Sequence, residues 1–600
     1  MKKILTIFFF SLLLLQNFCF AQFQNQLDRI TNLYNSAASD SDKVIALGQL
    51  ADLYYTFKLN KQGDSVLKEQ LLLAELSDNN NLVLLALFGT AITNISEFAS
   101  AESFNNIISF LEKGIYFAKS QNRYDYLAIG YTRLANVQRK RGNLDQALYQ
   151  ANQALQIIPN IKNDSIKAIV YIELGNSYVA KGEAVSGVRN FNNAFDIALK
   201  LKSVPLQSEV YHCFSEMYLV SLKNNDLAKE FLKKSLKLNK EKNYAEGQIR
   251  NYYDLSRVTE EVTYLKKAIA LSDSLHHYKY LLEAKILMLY YYFIVDKNSD
   301  KALQYLEKEP DIKESYVNAG VGNYYLIKGY IYFFTNQFDS ALNYFKLAEY
   351  DFIKNFDDKR SRTLFNYIAD SYKGLYDLPN ATAYYIKALN LSKKTNDVKF
   401  IAPILNSLSA IYEQQGEYKQ AFYYSKQAKQ YNDSLAELSQ ARDIALLDIE
   451  RENRQHAEEL RQEQQRINNK RNMQYMAITI AIALIFILIL IIGMFPISKL
   501  TIRLLGYIFF ISLFEFIVLL IYTFVYKITH GEPLKIWLIK IVVIALLVPL
   551  QHFLEHKLIK FLESRKLLKA RTKFSIKKWW QNKKLAPVKE DNFEEGTAVL

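Results

Sequence analysis

The sequence predicts an all-α protein: an α-solenoid, then a long connector helix, then three transmembrane helices. Three observations carry this. Half of the 600 residues are hydrophobic, yet Gly (19) and Pro (9) are scarce, a balance that favours long helices over loop-rich β structure. Small and aromatic residues recur about every forty residues through the first two-thirds of the chain. Three apolar runs of roughly twenty residues lie in the last quarter.

A chain of 600 residues exceeds what one hydrophobic core organises, so several domains or a repeat array are expected. The formal charge of +14 would suggest nucleic acid if it lay on one soluble face. Much of the excess instead sits in the last fifty or so residues beside apolar segments, which points to a membrane surface and to no nucleic-acid partner. Only Cys19 and Cys213 are present. Cys19 falls in the leader, so no internal disulfide framework or cysteine metal site can form, and Cys213 lies in an apolar helical stretch as a small buried hydrophobe.

At the amino terminus Lys2 and Lys3 precede the apolar run Ile4 to Leu15, and Cys19-Phe20-Ala21 stands before Gln22. This is the n-region, h-region and small-residue cleavage pattern of a secretory signal peptide, expected over residues 1–21 with cleavage after Ala21. A lipid-modified Cys19 is disfavoured by Asn17 and Phe18 before it. Residues 22–433 are then expected to be exported as the solenoid.

Within that region Ala147, Gly187, Ala228, Ala302, Ala341, Ala381 and Ala421 fall in register, with one unit missing between Ala228 and Ala302. The clearest unit is Ile368-Ala369, Tyr372, Ala381, Tyr385 and Ala388. Beside it stand Leu174-Gly175, Tyr178, Gly182, Gly187, Phe191 and Ala194; Leu408, Tyr412, Gly416, Ala421 and Ala428; and Leu134-Ala135, Gly142, Ala147, Ala151, Ala154 and Pro159. A small residue where two helices cross lets their backbones approach, an aromatic ring fills the space alongside, and Gly supplies the turn conformation other residues resist. The register extends back through degenerate units at Leu67/Leu71/Ala74 and Ile107/Leu111, and units between about Asn239 and Ser299 are poorly formed.

These residues resemble the tetratricopeptide repeat (TPR), whose usual period is 34 residues, so the longer spacing implies longer helices or loops. The resemblance covers two-thirds of the chain, implies roughly eight to ten repeats over residues 27–432, and implies a protein partner held on the concave face. It supplies no catalytic residues; no enzyme activity, cofactor, catalytic residue or metal ligand is assigned. The many tyrosines have two readings, core packing or an aromatic concave surface for a peptide or glycan.

Residues 434–475 are rich in Glu, Gln, Arg and Asn without Pro or Gly and are expected to form one charged connector helix. A heptad track runs through Leu446, Ile449, Asn453, His456, Leu460, Glu463 and Ile467. It reads either as a coiled-coil homodimer or as a solvated single helix laced with i,i+4 ion pairs.

Transmembrane helices are expected at 476–495, 504–526 and 536–553. With an exported amino terminus, Lys499 and Arg503 and the basic tail 554–600 face the cytoplasm, as the positive-inside rule asks; Arg461, Arg466, Lys470 and Arg471 run against it. The expected location is the bacterial cytoplasmic membrane, multi-pass. Lys577-Lys578-Trp579-Trp580 in the tail suits the lipid–water interface. Glu515 stands near mid-bilayer with Lys540 as its natural partner.

His552-Phe553-Leu554-Glu555-His556 matches H-x-x-E-H, an inverted zinc-protease pattern in which His552 and His556 would bind zinc and Glu555 act as base. It is short and lacks a downstream catalytic domain, so a membrane-embedded hydrolase is carried only as the alternative. The order of parts resembles a group of bacterial TPR sensor proteins that continue into a histidine kinase or a helix-turn-helix output. Here no ATP lid or DNA-reading helix pair follows the third membrane helix. The resemblance therefore implies the sensing half of a split system, with a separate kinase or regulator as partner.

Overall fold

The computed structural model describes residues 21–89, 101–354, 358–394, 398–492, 499–528 and 533–562. Every regular element among them is helical. The signal peptide expected at residues 1–21 lies outside them except for Ala21, which opens the first helix. The chain divides into two compact units, residues 1–456 and 457–600.

In the first unit α1 (Ala21–Asn35) precedes a series of antiparallel hairpins. These are α2 (Asp40–Thr56) with α3 (Asn60–Leu76), α4 (Asn80–Leu87) with α5 (Ala101–Ser120), α6 (Tyr124–Arg141) with α7 (Leu144–Gln156), and α8 (Asp164–Ala180) with α9 (Ala184–Lys200). Then come α10 (Val204–Glu216) with α11 (Asn225–Glu241), α12 (Ala245–Thr259) with α13 (Val262–Ser274), and α14 (Tyr278–Tyr290) with α15 (Ser299–Lys308). A single short helix, α16 (Pro310–Asn318), intervenes. Last are α17 (Val321–Phe334) with α18 (Phe338–Lys354), α19 (Asp358–Gly374) with α20 (Leu378–Lys394), and α21 (Val398–Gln414) with the first turns of α22 (Tyr418–Ile492). Ten hairpins thus stand among the described residues, at the upper end of the expected number. The architecture is an α-solenoid.

The small-residue column sits where the two helices of a hairpin cross. Ala147, Ala228, Ala302, Ala341 and Ala381 are fully buried. In α8–α9 the crossing is made by two glycines: a Cβ on Gly175 would meet Phe191 Cε1 at 2.5 Å and Gly187 O at 3.1 Å. Even alanine would push these helices apart. The degenerate amino-terminal units pack the same way, with Leu67, Ala74, Ile107 and Leu111 buried.

Two expectations are corrected. The stretch from Asn239 to Ser299, thought poorly formed, holds the complete hairpin α12–α13 and the start of the next. Its turn is reduced to Glu260-Glu261, with Glu260 left-handed (φ 57°), and its buried small residues are Ala268 and Ser272. Leu265, buried at the fourth position of α13 and midway in sequence between Ala228 and Ala302, takes the place that a small residue holds in the neighbouring hairpins. Glycine is also not the general turn residue. Gly142, Gly182 and Gly416 have positive φ in their turns, but Lys223, Lys297, Asn336 and Tyr376 adopt the same conformation elsewhere, against a steric cost of about 1 kcal/mol each.

The run of hairpins curls back on itself. Phe23 of α1, with Leu53 and Phe57 of the first hairpin, packs against Leu282 and Ile286 of α14, and Asn318 Nδ2 donates to Phe57 O at 3.0 Å.

Residues 434–475, expected as the connector, lie within one longer helix. α22 is a single helix of 75 residues, unbroken by Pro or Gly, and supplies the last hairpin, the charged connector and an apolar stretch. Among the described residues, α22 over Tyr418–Leu488 contains a stretch long and apolar enough to cross a membrane by length and composition. In the second unit α23 (Lys499–Ile528) and α24 (Pro533–Leu562) span the other two expected segments. Phe509, Phe510 and Phe514 form a small core with Ile482 and Phe486 of α22 and Leu554 of α24. Residues 563–600, with the Lys577–Trp580 motif, lie outside the described residues.

Candidate interaction surfaces

The aromatic column is positioned by the turns that close the hairpins. In α17, α19 and α21 the carbonyls of Tyr332, Tyr372 and Tyr412 accept the N–H of Gln337, Asp377 and Glu417 at 2.8–2.9 Å, the bond of a Schellman-type helix end. Each tyrosine then meets a second twelve residues later: Tyr332 with Tyr344 (5.6 Å between centroids), Tyr372 with Tyr384 (5.8 Å) and Tyr412 with Tyr424 (5.4 Å). In two other hairpins the partner comes thirteen residues later, Tyr218 with Phe231 (5.5 Å) and Tyr292 with Tyr305 (5.2 Å). Those are the two whose first helix ends in a π turn, Met217–Ser221 and Tyr291–Val295. The π turn absorbs one extra residue and keeps the pair together.

Lysines lie over these rings. Lys346 and Lys387 are each 4.2 Å from the Tyr384 ring centre, Lys301 is 4.9 Å from Tyr292, and Lys328 is 5.3 Å from Tyr344. The rings are half-buried or buried and their faces already hold cations, so they mainly lock hairpins and offer a cationic, aromatic edge.

A charged cluster that the sequence reading missed joins α10, α12 and α14. Arg250 pairs with Glu209; Arg257 reaches Glu216 at 2.7 Å and Asp254 at 3.3 Å; His212 Nδ1 lies 2.8 Å from Asp254 Oδ2. Burial opposes charge on Glu209, but Arg250 outweighs it and holds the carboxyl below its ordinary pKa. Burial likewise opposes charge on Asp254, and His212 with the two guanidinium groups overcomes it. His212 is pushed below 6.5 by burial and by Arg250, so it is neutral near pH 7 and the arginines supply the charge that keeps Asp254 ionised. Lys58 of the first hairpin faces Glu283 and Lys279 of α14; burial lowers its pKa and raises that of Glu283. The cluster therefore lies beside the seat where the first hairpin meets α14. Glu209 and Glu216 of α10 meet Arg250 and Arg257 of α12 across 41 residues of sequence, at no spacing that names a motif.

The third surface is a groove already filled. Residues 445–456 of α22 lie against α9 and the neighbouring turn of α10. Ile449 is 1% exposed and shares a core with Val188, Phe191, Phe214, Tyr218 and Leu222, with Ala445 and Leu446 packed alongside. Arg189 grips Glu452 with two hydrogen bonds of 2.9 and 3.0 Å, Asn192 Nδ2 donates to Asn453 Oδ1 at 3.3 Å, and His456 Nε2 is 3.3 Å from Asp196. Arg189, Asn192 and Asp196 share one face of α9 by helical spacing, and Leu446, Ile449, Asn453 and His456 share one face of α22. So the first four positions of the expected heptad track meet this chain's own solenoid. Beyond His456 the track is more exposed, with Ile467 at 58%.

Cys213 is buried in α10, and burial raises its thiol pKa. His552 and His556 are exposed on α24, while the side chains of Glu555, Glu515 and Lys540 lie outside the described residues. Among the described residues no three His, Cys, Asp or Glu side chains come together as a metal-holding group. Nothing in the geometry favours the hydrolase alternative.

No family model and no curated protein matches this chain. Solved structures similar to it include a Rap protein complexed with competence and sporulation factor, at 14% identity over 66% of this chain and 99% of that one, with a TM-score of 0.34. A signal-transduction ATPase with a tetratricopeptide repeat sensor from Pyrococcus horikoshii matches at 13% identity over 68% and 55%, with a TM-score of 0.36. The anaphase-promoting-complex assembly Cut9–Hcn1 matches at 13% identity over 71% and 82%, with a TM-score of 0.33. Scores this low carry no argument about this chain; the solenoid rests on its own hairpins.

Proposed function

We propose that this chain is a membrane-anchored, TPR-like interaction protein of the bacterial envelope, whose exported solenoid binds a protein partner. One observation carries the reading: α22 begins as the second helix of the last hairpin and continues without a break into an apolar stretch of membrane-spanning length. A binding array and an anchor on one continuous helix suit a protein that holds a partner at a bilayer surface. The secretory pattern of residues 1–21 and the basic residues after 553 orient it with the solenoid outside and the tail in the cytoplasm, with α23 and α24 as second and third spans.

The sharper form of the reading makes the chain the sensing half of a split system, passing binding to a separate kinase or regulator. A homodimer through the connector would pair beyond His456, where Leu460 and Ile467 lie, because the earlier track is engaged within the chain. Protease treatment of spheroplasts, with tags after residue 433 and at the carboxyl terminus, tests the anchor and orientation. The first tag should be digested and the second protected, with the protein resisting carbonate extraction. A chain released by carbonate, or a tail digested from outside, ends the reading.

A further inference from the structure

We propose that the groove lined by α9, the end of α10 and α11 is a helix-recognition site held shut in cis by residues 445–456, and that a partner helix enters it by displacing this segment. The site has the parts such recognition needs. An apolar floor (Val188, Phe191, Phe214 and Leu222) takes Ile449, and a polar rail on α9 reads the flank of the helix. Arg189 forks onto a carboxylate, Asn192 meets an amide and Asp196 meets an imidazole. The matching partner is therefore an amphipathic helix with apolar residues at i and i+3, an acid at i+6, an amide at i+7 and a donor or cation at i+10, the pattern of Leu446, Ile449, Glu452, Asn453 and His456.

The cis segment fits but is lightly held. Ile449 is the one side chain of the segment buried to the limit, Leu446 is half-buried, and Ile444 and Leu447 are 54% and 64% exposed. Arg189 is itself 61% exposed, so its pair with Glu452 directs the register while solvent and salt weaken it. A site that is specific in its contacts and modest in its apolar burial suits an occupant that can leave. This inference stands apart from the membrane reading, since it concerns only residues before Ala457.

Two measurements on the full chain in detergent test it. With cysteines placed at 192 and 453 in a Cys213→Ala background, a short bismaleimide should cross-link within one chain. Arg189→Glu should cut that yield about tenfold, equivalent to about 1.4 kcal/mol, and Arg189→Glu with Glu452→Arg should restore it. A labelled peptide of residues 440–460 should bind the Ile449→Asp chain at least about tenfold more tightly than wild type, because the cis competitor is gone. A Glu452→Arg peptide should bind only a chain that also carries Arg189→Glu. Cross-links that form only between chains, a yield unmoved by Arg189→Glu, or equal peptide affinity for wild type and Ile449→Asp would each overturn the proposal.

Discussion

Tyr412 and Tyr424 stack across the last hairpin with ring centres 5.4 Å apart and planes 4° from parallel. The turn between them sets this spacing, and where the turn gains a residue the partner moves by one. A double-mutant cycle on Tyr412→Ala and Tyr424→Ala, read by urea unfolding, should give a coupling of about 1 kcal/mol. Deleting Val220, exposed in the first π turn, should return that hairpin to twelve-residue spacing at a cost below about 1 kcal/mol. Deleting Phe334, where no π turn exists to absorb the loss, should abolish folding of its hairpin.

Gly187→Ala should cost about 1–3 kcal/mol, because its Cβ would run into Val179 and approach the Gly175 carbonyl. Gly142→Ala should cost only about 1 kcal/mol, since open space surrounds that position and only its φ of 92° is strained. Thermal melts of the two variants separate crowding from backbone strain.

Asp254→Ala should destabilise α12 by about 3 kcal/mol, because it leaves His212 and two guanidinium groups without their shared, largely buried carboxylate. Lys113→Ala, which breaks the exposed pair with Glu75, should cost at most about 0.5 kcal/mol. In a solenoid each unit leans on its neighbours, so hydrogen exchange should show the first loss spreading from α12 to α10 and α14.

Glu314 in α16 has its pKa raised to about 7, first by burial and then by Asp311. The folded chain keeps this proton where the unfolded chain has already lost it. Stability should therefore fall as pH rises from about 4.5 to about 7. Glu314→Gln should flatten that part of the stability–pH curve, as read from urea midpoints.

The Cys213 thiol, buried and held up in pKa, should resist thiol reagents in the folded chain and react on unfolding. Its labelling rate should follow the opening of α10 as urea is raised. Fast labelling in native buffer would contradict the packing around it.

The repeat was legible because helix crossings demand small side chains. Ala341 and Ala381 are buried where the register puts them, and Tyr372 and Tyr412 mark the turns. Hairpin α12–α13 was illegible because Leu265 stands where the neighbouring hairpins carry a small residue, which leaves a gap in the alanine register. The filled groove was illegible for another reason. Leu446, Ile449, Asn453 and His456 form a good stripe, but a stripe states only that one face is covered. What covers it, Arg189 to Asp196, lies some 260 residues away along the chain. Likewise Arg250, Asp254 and Glu209 look like ordinary surface charges until the helices bring them together.

Most strings of stacked hairpins can be lengthened or shortened by whole units, since each touches only its neighbours. This one has a closure condition, because Phe57 must land on Leu282 and Asn318 must reach the Phe57 carbonyl. Duplicating or losing one hairpin between them would displace the landing by a full repeat and leave both apolar patches bare. The census of units between Phe57 and Leu282 is thus pinned by geometry, and the hairpins after Asn318 are pinned in turn by the return of Ile449 and Glu452 to α9.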